Sequence, residues 1–304
     1  MARRTLLSVH PHPDDESIAC GGVLALAAAS GDRTVVVTCT GGEEGENLAG
    51  IDLAGEDLAT HRRRELAAAL GVLGVEAHHW LGFRDSGMAG SPANDHPDAF
   101  FRADRDEAAA RLAVVIRRER PLVVVSDPVD GTYGHPDHVT AYEVTRRAVE
   151  FAADARKLPG EPWRVPKRYV RVLSHRRLGA MHAALLAAGL ASPFGTASSS
   201  PEALGFGVPD EQVTTRVDVR AVQEIRRRAM ASHRSQIGPD SFFLNLPQAL
   251  AVGVFDVEEF VLEDRPAGTA PAGDAASAKP EVDLFAGLDG LERVPPPGTT
   301  RDAR

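Results

Sequence analysis

A chain of 304 residues with 43% hydrophobic and 25% charged side chains carries enough apolar material for a full core and has the composition of an ordinary globular protein. Its formal net charge of −9 weighs against nucleic acid or an anionic membrane as partner, and no apolar run approaches the ~20 residues that span a bilayer. Cys20 and Cys39 are too few for a disulfide framework, and both sit among apolar neighbours; with no secretory leader pattern after Ala2-Arg3-Arg4, the expected compartment is reducing and cytoplasmic.

In chain order, Thr5–Val9 reads as a buried strand that ends in His10-Pro11-His12-Pro13-Asp14-Asp15-Glu16. Gly22–Ala29 reads as a helix closed by Ser30-Gly31, and Arg33–Thr40, with three consecutive valines, as a second buried strand. The acidic loop Gly41–Glu46 follows it. Leu58–Leu73 is a predicted helix, Val75–Leu81 a third strand, and Arg84–Asp98 a loop long enough to carry function. Arg105–Arg118 has helical spacing of Ala109, Leu112, Val115 and Ile116, Leu122–Val125 is a central strand, and His138–Phe151 is helical again. Strand and helix alternate over residues 5–151. That predicts an α/β fold: a Rossmann-like, doubly wound, mostly parallel sheet flanked by helices, with a smaller C-terminal extension.

Beyond residue 160 the expected elements are a strand over Arg168–Leu173, a helix over Gly179–Leu190, a small-residue loop over Ala191–Ser200, a strand over Val213–Val217 and a charged helix over Val219–Ser232. Ala249–Leu262 is expected to end the fold. The domain is therefore drawn over residues 1–263, with the core motifs in 5–151 and a substrate-side portion in 152–263. Residues 264–304, rich in Pro, Gly and Ala, read as a disordered tail in which Leu284, Leu288 and Leu291 make one short docking segment.

The tripeptide His-Pro-Asp occurs three times, at His12, His96 and His135. The first and third follow predicted strands, whereas His96-Pro97-Asp98 lies in a polar loop and is assigned no function. A catalytic zinc takes three His or carboxylate ligands and leaves one position open, and His12, Asp15 and His138 supply such a set. Two imidazoles and a carboxylate also suit Fe2+ or Mn2+. His10 is a rival to His12 but lacks the His-Pro-Asp-Asp spacing; His61, His78, His79, His175 and His182 stand outside any such motif and read as ordinary. A nucleotide-binding Rossmann module is disfavoured, because no G-x-G-x-x-G follows the first strand and acids there would repel a pyrophosphate.

His12-Pro13-Asp14-Asp15-Glu16 with Gly21-Gly22, and Gly134-His135-Pro136-Asp137-His138, resemble the two signature motifs of the LmbE-like (PIG-L) deacetylases. The likeness runs over roughly residues 5–260, through Thr38-Cys39-Thr40, Arg62 with Glu65, Arg84-Asp85-Ser86-Gly87-Met88, and His233 with Gln236, and is nearest to the actinobacterial branch serving mycothiol metabolism. The resemblance implies a zinc-dependent hydrolase that removes an N-acetyl group from an N-acetylglucosamine-containing small molecule such as N-acetylglucosaminyl-inositol; that small molecule is the expected partner, and a homo-oligomer is left open as a further one. It further implies zinc on His12, Asp15 and His138, with Asp14 as general base. His135, preferably as imidazolium, would face the oxyanion or protonate the amine, oriented by Asp137, and Tyr133 would be an oxyanion donor. Arg62 and Asp85 would grip sugar or inositol hydroxyls, with Glu46 as a further candidate. The related conjugate amidases carry a Lys just after the first motif, where this chain has Ser17-Ile18-Ala19-Cys20. Conjugate amidase, natural-product amino-sugar deacetylase and a non-catalytic binding member are the alternatives.

Overall fold

The computed structural model describes residues 3–189, 192, 207–246, 255–264 and 279–288. Among them seven strands, β1 (Thr5–His10), β2 (Arg33–Thr40), β3 (Ala77–Phe83), β4 (Val123–Ser126), β5 (Lys167–Val172), β6 (Thr215–Asp218) and β7 (Val257–Asp264), form one sheet in the order β3-β2-β1-β4-β5-β7-β6. The first five are parallel. β7 inserts antiparallel between β5 and β6.

The valine- and leucine-rich strands are buried on both faces, as a parallel sheet between helical layers requires. Leu6 and Val36 face a core made with Leu24 of α2 (Gly21–Ala29), Leu66 and Leu70 of α3 (Leu58–Leu73), and Ala229 of α8 (Gln223–Met230). Leu7, Val9, Val35 and Val37 face the opposite core, with Leu112 and Ile116 of α4 (Arg105–Glu119) and Val144 of α6 (Pro136–Ala153). Helix ends follow local chemistry. The Asp57 side chain accepts the Thr60 N–H at the start of α3, and Gly74 closes the helix at φ 75°.

From β1 the chain winds to β2 on one side, while β4 lies on the other. The carboxyl ends of β1 and β4 therefore flank the point where winding reverses, the position at which open α/β sheets form a ligand crevice.

Several expected boundaries move. A five-residue helix, α1 (Asp15–Ala19), precedes α2 and has no counterpart among the expected elements; five residues are too few to show a periodicity. Ser174 caps α7 through the Arg177 N–H, so that helix spans His175–Ala187 and starts four residues before the expected Gly179. The charged helix begins at Gln223 and not Val219, after a single 3-10 turn. The expected terminal segment Ala249–Leu262 is strand from Val257; residues 247–254, the Ala191–Ser200 loop apart from residue 192, and Leu291 lie outside the described residues.

The docking segment expected in the tail is present at Leu284 and Leu288, and the disorder expected around it is corrected for residues 279–288. Residues 279–288 are packed on the body: Leu284, Phe285 and Leu288 are buried in the first core. The Glu281 carboxylate accepts from Lys167 Nζ and Tyr169 Oη, both at 2.9 Å. Three apolar side chains in a polar, Pro-rich context find their partners only in the folded body, where Tyr169 Oη of the interior strand β5 also meets the Leu284 carbonyl and Thr215 of the edge strand β6 pairs with Glu281.

Candidate metal centre and active site

The turn after β1 delivers His12, Asp14 and Asp15. The His12 N–H donates to Asp15 Oδ2 at 2.9 Å, folding the carboxylate back beside its imidazole, with Nδ1 at 3.4 Å from the same oxygen. α6 delivers His138, whose Nε2 lies 3.6 Å from Asp15 Oδ2. One ligand atom from each of the three residues falls within 4.8 Å of the others. The far nitrogens are backed by acids: His12 Nε2 lies 3.2 Å from Asp137 Oδ2 and 3.5 Å from Asp85 Oδ1, and His138 Nδ1 lies 3.2 Å from Asp127 Oδ1.

This donor set fits a divalent metal. Each imidazole turns one nitrogen to the shared carboxylate and the other to a carboxylate behind it, an arrangement that fixes tautomer and ring direction in metal sites. Burial disfavours charge on His12 and His138, yet the surrounding acids outweigh it and raise both above the ordinary histidine value. The centre favours positive charge. His12, His135 and Asp137 form a second close group, but there the oxygens of Asp137 already accept from the Ser86 N–H and Oγ–H. His10 is buried within β1, with no Nε2 hydrogen-bond partner, and belongs to neither group.

Asp14 is held differently from its neighbours. Its φ of 123° is a conformation that side-chain-bearing residues rarely adopt and that persists only where surroundings impose it. Burial lifts its carboxyl to about 6, against the pull of the Arg62 guanidinium 3.4 Å away. Asp15 goes the other way: burial opposes its charge, but His138 and His12 outweigh it and hold the carboxyl well below the usual range. Two adjacent carboxylates thus differ in basicity.

His135 caps α6, its Nδ1 accepting the Asp137 N–H at 3.1 Å. The ring proton is therefore on Nε2. Burial and the imidazole of His12 lower its pKa to about 4, so His135 is neutral near pH 7, which corrects the expected imidazolium. The Tyr133 hydroxyl lies 3.3 Å from His138 Nε2, on the turn α5 (Gly131–Gly134). Gly131 is required there, since at φ 64° a Cβ would meet Val139 Cγ2 at 2.9 Å.

A cavity of about 700 Å3 opens over these groups, and His12, Asp14, Asp15, Asp85, Tyr133, His135 and His138 line it together with Arg62 and Gln236. Arg62 does not pair with Glu65. Its guanidinium donates to the carbonyls of Gly42 (2.9 Å) and Pro13 (2.6 Å), beneath a glycine loop with no room for a side chain at Gly42. Asp85 accepts the Gly87 N–H at 2.8 Å while facing His12. Glu46 is not brought to the cavity: it is exposed, its carbonyl accepts from Gln236 Nε2, and Glu44 and Gly45 line the wall instead. The loop turns outward one residue too early for Glu46.

Sequence reading assigns no role to Asp127, whose signal is its position directly after β4, or to Ser86, whose signal is its place in the Arg84–Met88 segment beside Asp85. It also assigns no role to Glu16, which the fold bonds to His233. Arg171, Arg177, Arg226, Phe242 and Phe255 complete the far wall from the C-terminal half.

A doubly wound sheet with this His/Asp set at its switch point is the frame of a metal-dependent amide hydrolase of the deacetylase class. A family model described as PIG-L: GlcNAc-PI de-N-acetylase matches residues 7–149. A relative named 1D-myo-inositol 2-acetamido-2-deoxy-alpha-D-glucopyranoside deacetylase, from Thermomonospora curvata, is 44% identical over 300 residues, covering 95% of this chain and 98% of its own. A relative of the same name from Thermobispora bispora is 43% identical, over 95% of this chain and 100% of its own. A conserved protein of Thermus thermophilus, TT1542, shares the fold in its crystal structure at a TM-score of 0.55 and 26% identity, over 90% of this chain and 100% of that one. The chain belongs to the PIG-L family of de-N-acetylases. It is an amide hydrolase of a metal-dependent family, and no helix among its described residues is long and apolar enough to cross a membrane.

Proposed function

We propose that this protein hydrolyses the acetamide of an N-acetylglucosaminyl-inositol to acetate and the free amine, in the cytoplasm, with Zn2+ held by His12, Asp15 and His138. The observation that carries the reading is the pairing of that donor set with an adjacent carboxylate of raised basicity, Asp14, at one cavity. End-to-end similarity to relatives named as deacetylases of this substrate supports the choice of amide.

When bound, the metal supplies Lewis-acid polarisation of the amide carbonyl and brings the pKa of a water toward ~7. Asp14 accepts the proton of the attacking water and, with a pKa near 6, holds it long enough to pass it to the departing amine. Neutral His135 donates its Nε2–H to the developing oxyanion, and Tyr133, whose ring meets that of His135 edge-on, is a second donor beside it. Asp137 fixes His12 from behind through Nε2 and presents its own N–H to His135. Arg62 and Asp85, on the cavity wall, meet sugar or inositol hydroxyls. A cavity of about 700 Å3 accommodates a pseudodisaccharide.

The test pairs metal content with amine release from N-acetylglucosaminyl-inositol. Asp14→Asn is expected to keep its metal and lose about 10²–10⁴ in kcat. Removal of metal by a chelator should abolish turnover, and the order in which Zn2+, Fe2+ and Mn2+ restore it identifies the ion. Failure to take up any metal on reconstitution would sink the proposal. Metal with turnover only on thiol conjugates would move the substrate to the amidase class.

A further inference from the structure

We propose that His233, on the turn after α8, is a positioning residue for Asp14 and acts through Glu16. The inference rests on Asp14 as the base. Pro13 C=O and Asp14 N–H belong to one peptide unit, and both of its polar ends are clamped. The carbonyl accepts from Arg62 Nη2 at 2.6 Å, and the N–H donates to Glu16 Oε2 at 3.0 Å. On the other side of the same Cα, the Asp14 carbonyl accepts the N–H groups of Ser17 and Ile18, both at 3.1 Å. Rotation about the Asp14 N–Cα bond is thereby held at 123°, which sets where the carboxylate stands relative to the attacking water.

Glu16 holds this clamp only while its own carboxylate is fixed. It is fully buried, and its second oxygen accepts from Ser17 Oγ at 2.5 Å and from His233 Nε2 at 2.7 Å. His233 is equally buried, and its turn is anchored independently. The Ser235 N–H and Oγ–H donate to the two oxygens of Glu65 on α3 at 2.8 and 2.6 Å, and the Ile237 N–H closes on the His233 carbonyl at 2.7 Å. Arg226 ties α8 to α1 through the carbonyls of Ser17 and Ile18. A residue more than two hundred positions away in sequence thus holds the backbone that aims the base. Neither Glu16 nor His233 lines the cavity, so neither reaches substrate.

A misplacement of the base by about an ångström costs on the order of 10²-fold in rate. His233→Leu is therefore expected to lower kcat about 100-fold, with KM and metal content within about twofold of wild type. His233→Gln, which offers an amide donor where Nε2 stands, should recover most of the rate. His233→Asn, too short to reach Glu16, should behave like the leucine variant and serves in its place if that one does not fold. Hydrogen exchange at the Asp14 amide provides a readout independent of turnover: faster in His233→Leu, at the wild-type rate in His233→Gln. Adding His233→Leu to Asp14→Asn should slow the enzyme no further, since the two act as one unit. Unchanged exchange, loss of metal, or fully additive losses in the double variant would overturn the assignment. Wild-type kcat in Asp14→Asn alone would instead defeat the base reading, whatever His233 does.

Discussion

The turns that begin at His135 and at His96 share a tripeptide and a local hydrogen bond. The ring Nδ1 of His135 accepts the Asp137 N–H at 3.1 Å, and the ring Nδ1 of His96 accepts the Asp98 N–H at the same distance. Yet Asp137 is fully buried behind His12, whereas Asp98 lies in an exposed loop. The difference is where each turn sits. The His135 turn follows β4 at the reversal of the sheet's winding, opposite the His12 turn after β1, so its side chains meet groups delivered by another strand. The His96 turn follows no strand end of that kind. The tripeptide makes a turn; its place in the sheet makes a site.

Removing donors one at a time should separate these roles, beginning with the largest effect. His138→Ala takes away one of the three proposed ligands, and the protein should lose both metal and measurable turnover, read by elemental analysis beside the amine assay. His135→Ala should keep its metal and lose about 10²–10³ in kcat, the usual result of deleting one oxyanion donor. It should also lose about 1 kcal/mol of stability with the α6 cap, visible in denaturant melts. In Asp137→Asn the backing of His12 is weakened, and a competition titration should show metal affinity down about 10–100-fold. His96→Ala should change neither metal nor rate, and stability by no more than about 0.5 kcal/mol. A large effect at His96 would break the comparison outright, because it would mean that the tripeptide itself carries function.

The first half of the chain was legible for a physical reason. β1, β2 and β4 are short runs of Leu and Val, buried on both faces, and α3, α4 and α6 carry apolar residues at helical spacing between polar caps; such patterns are read within one window. The donor set was legible because His12 and Asp15 lie on one turn and His138 on the first turn of α6, each just past a recognisable strand.

What no window contains was decided by tertiary structure. β7 pairs antiparallel between β5 and β6, and Glu281 to Leu288 return to cover the sheet, through contacts with no local pattern. Arg62 turns away from Glu65 on its own helix and directs its guanidinium to the carbonyls of Pro13 and Gly42. Glu46 matched by position and is turned to solvent by the path of its loop. His135 reads as a protonatable imidazole until its burial among other imidazoles is known. By itself the sequence determined which strands end in His and Asp and that His12, Asp15 and His138 would be candidates for one site, since hydrophobic period and turn residues act over a few positions. Only the folded chain decided the charge of His135, the backbone of Asp14 and the partner of Glu16, because desolvation and hydrogen bonding across the fold depend on neighbours distant in sequence.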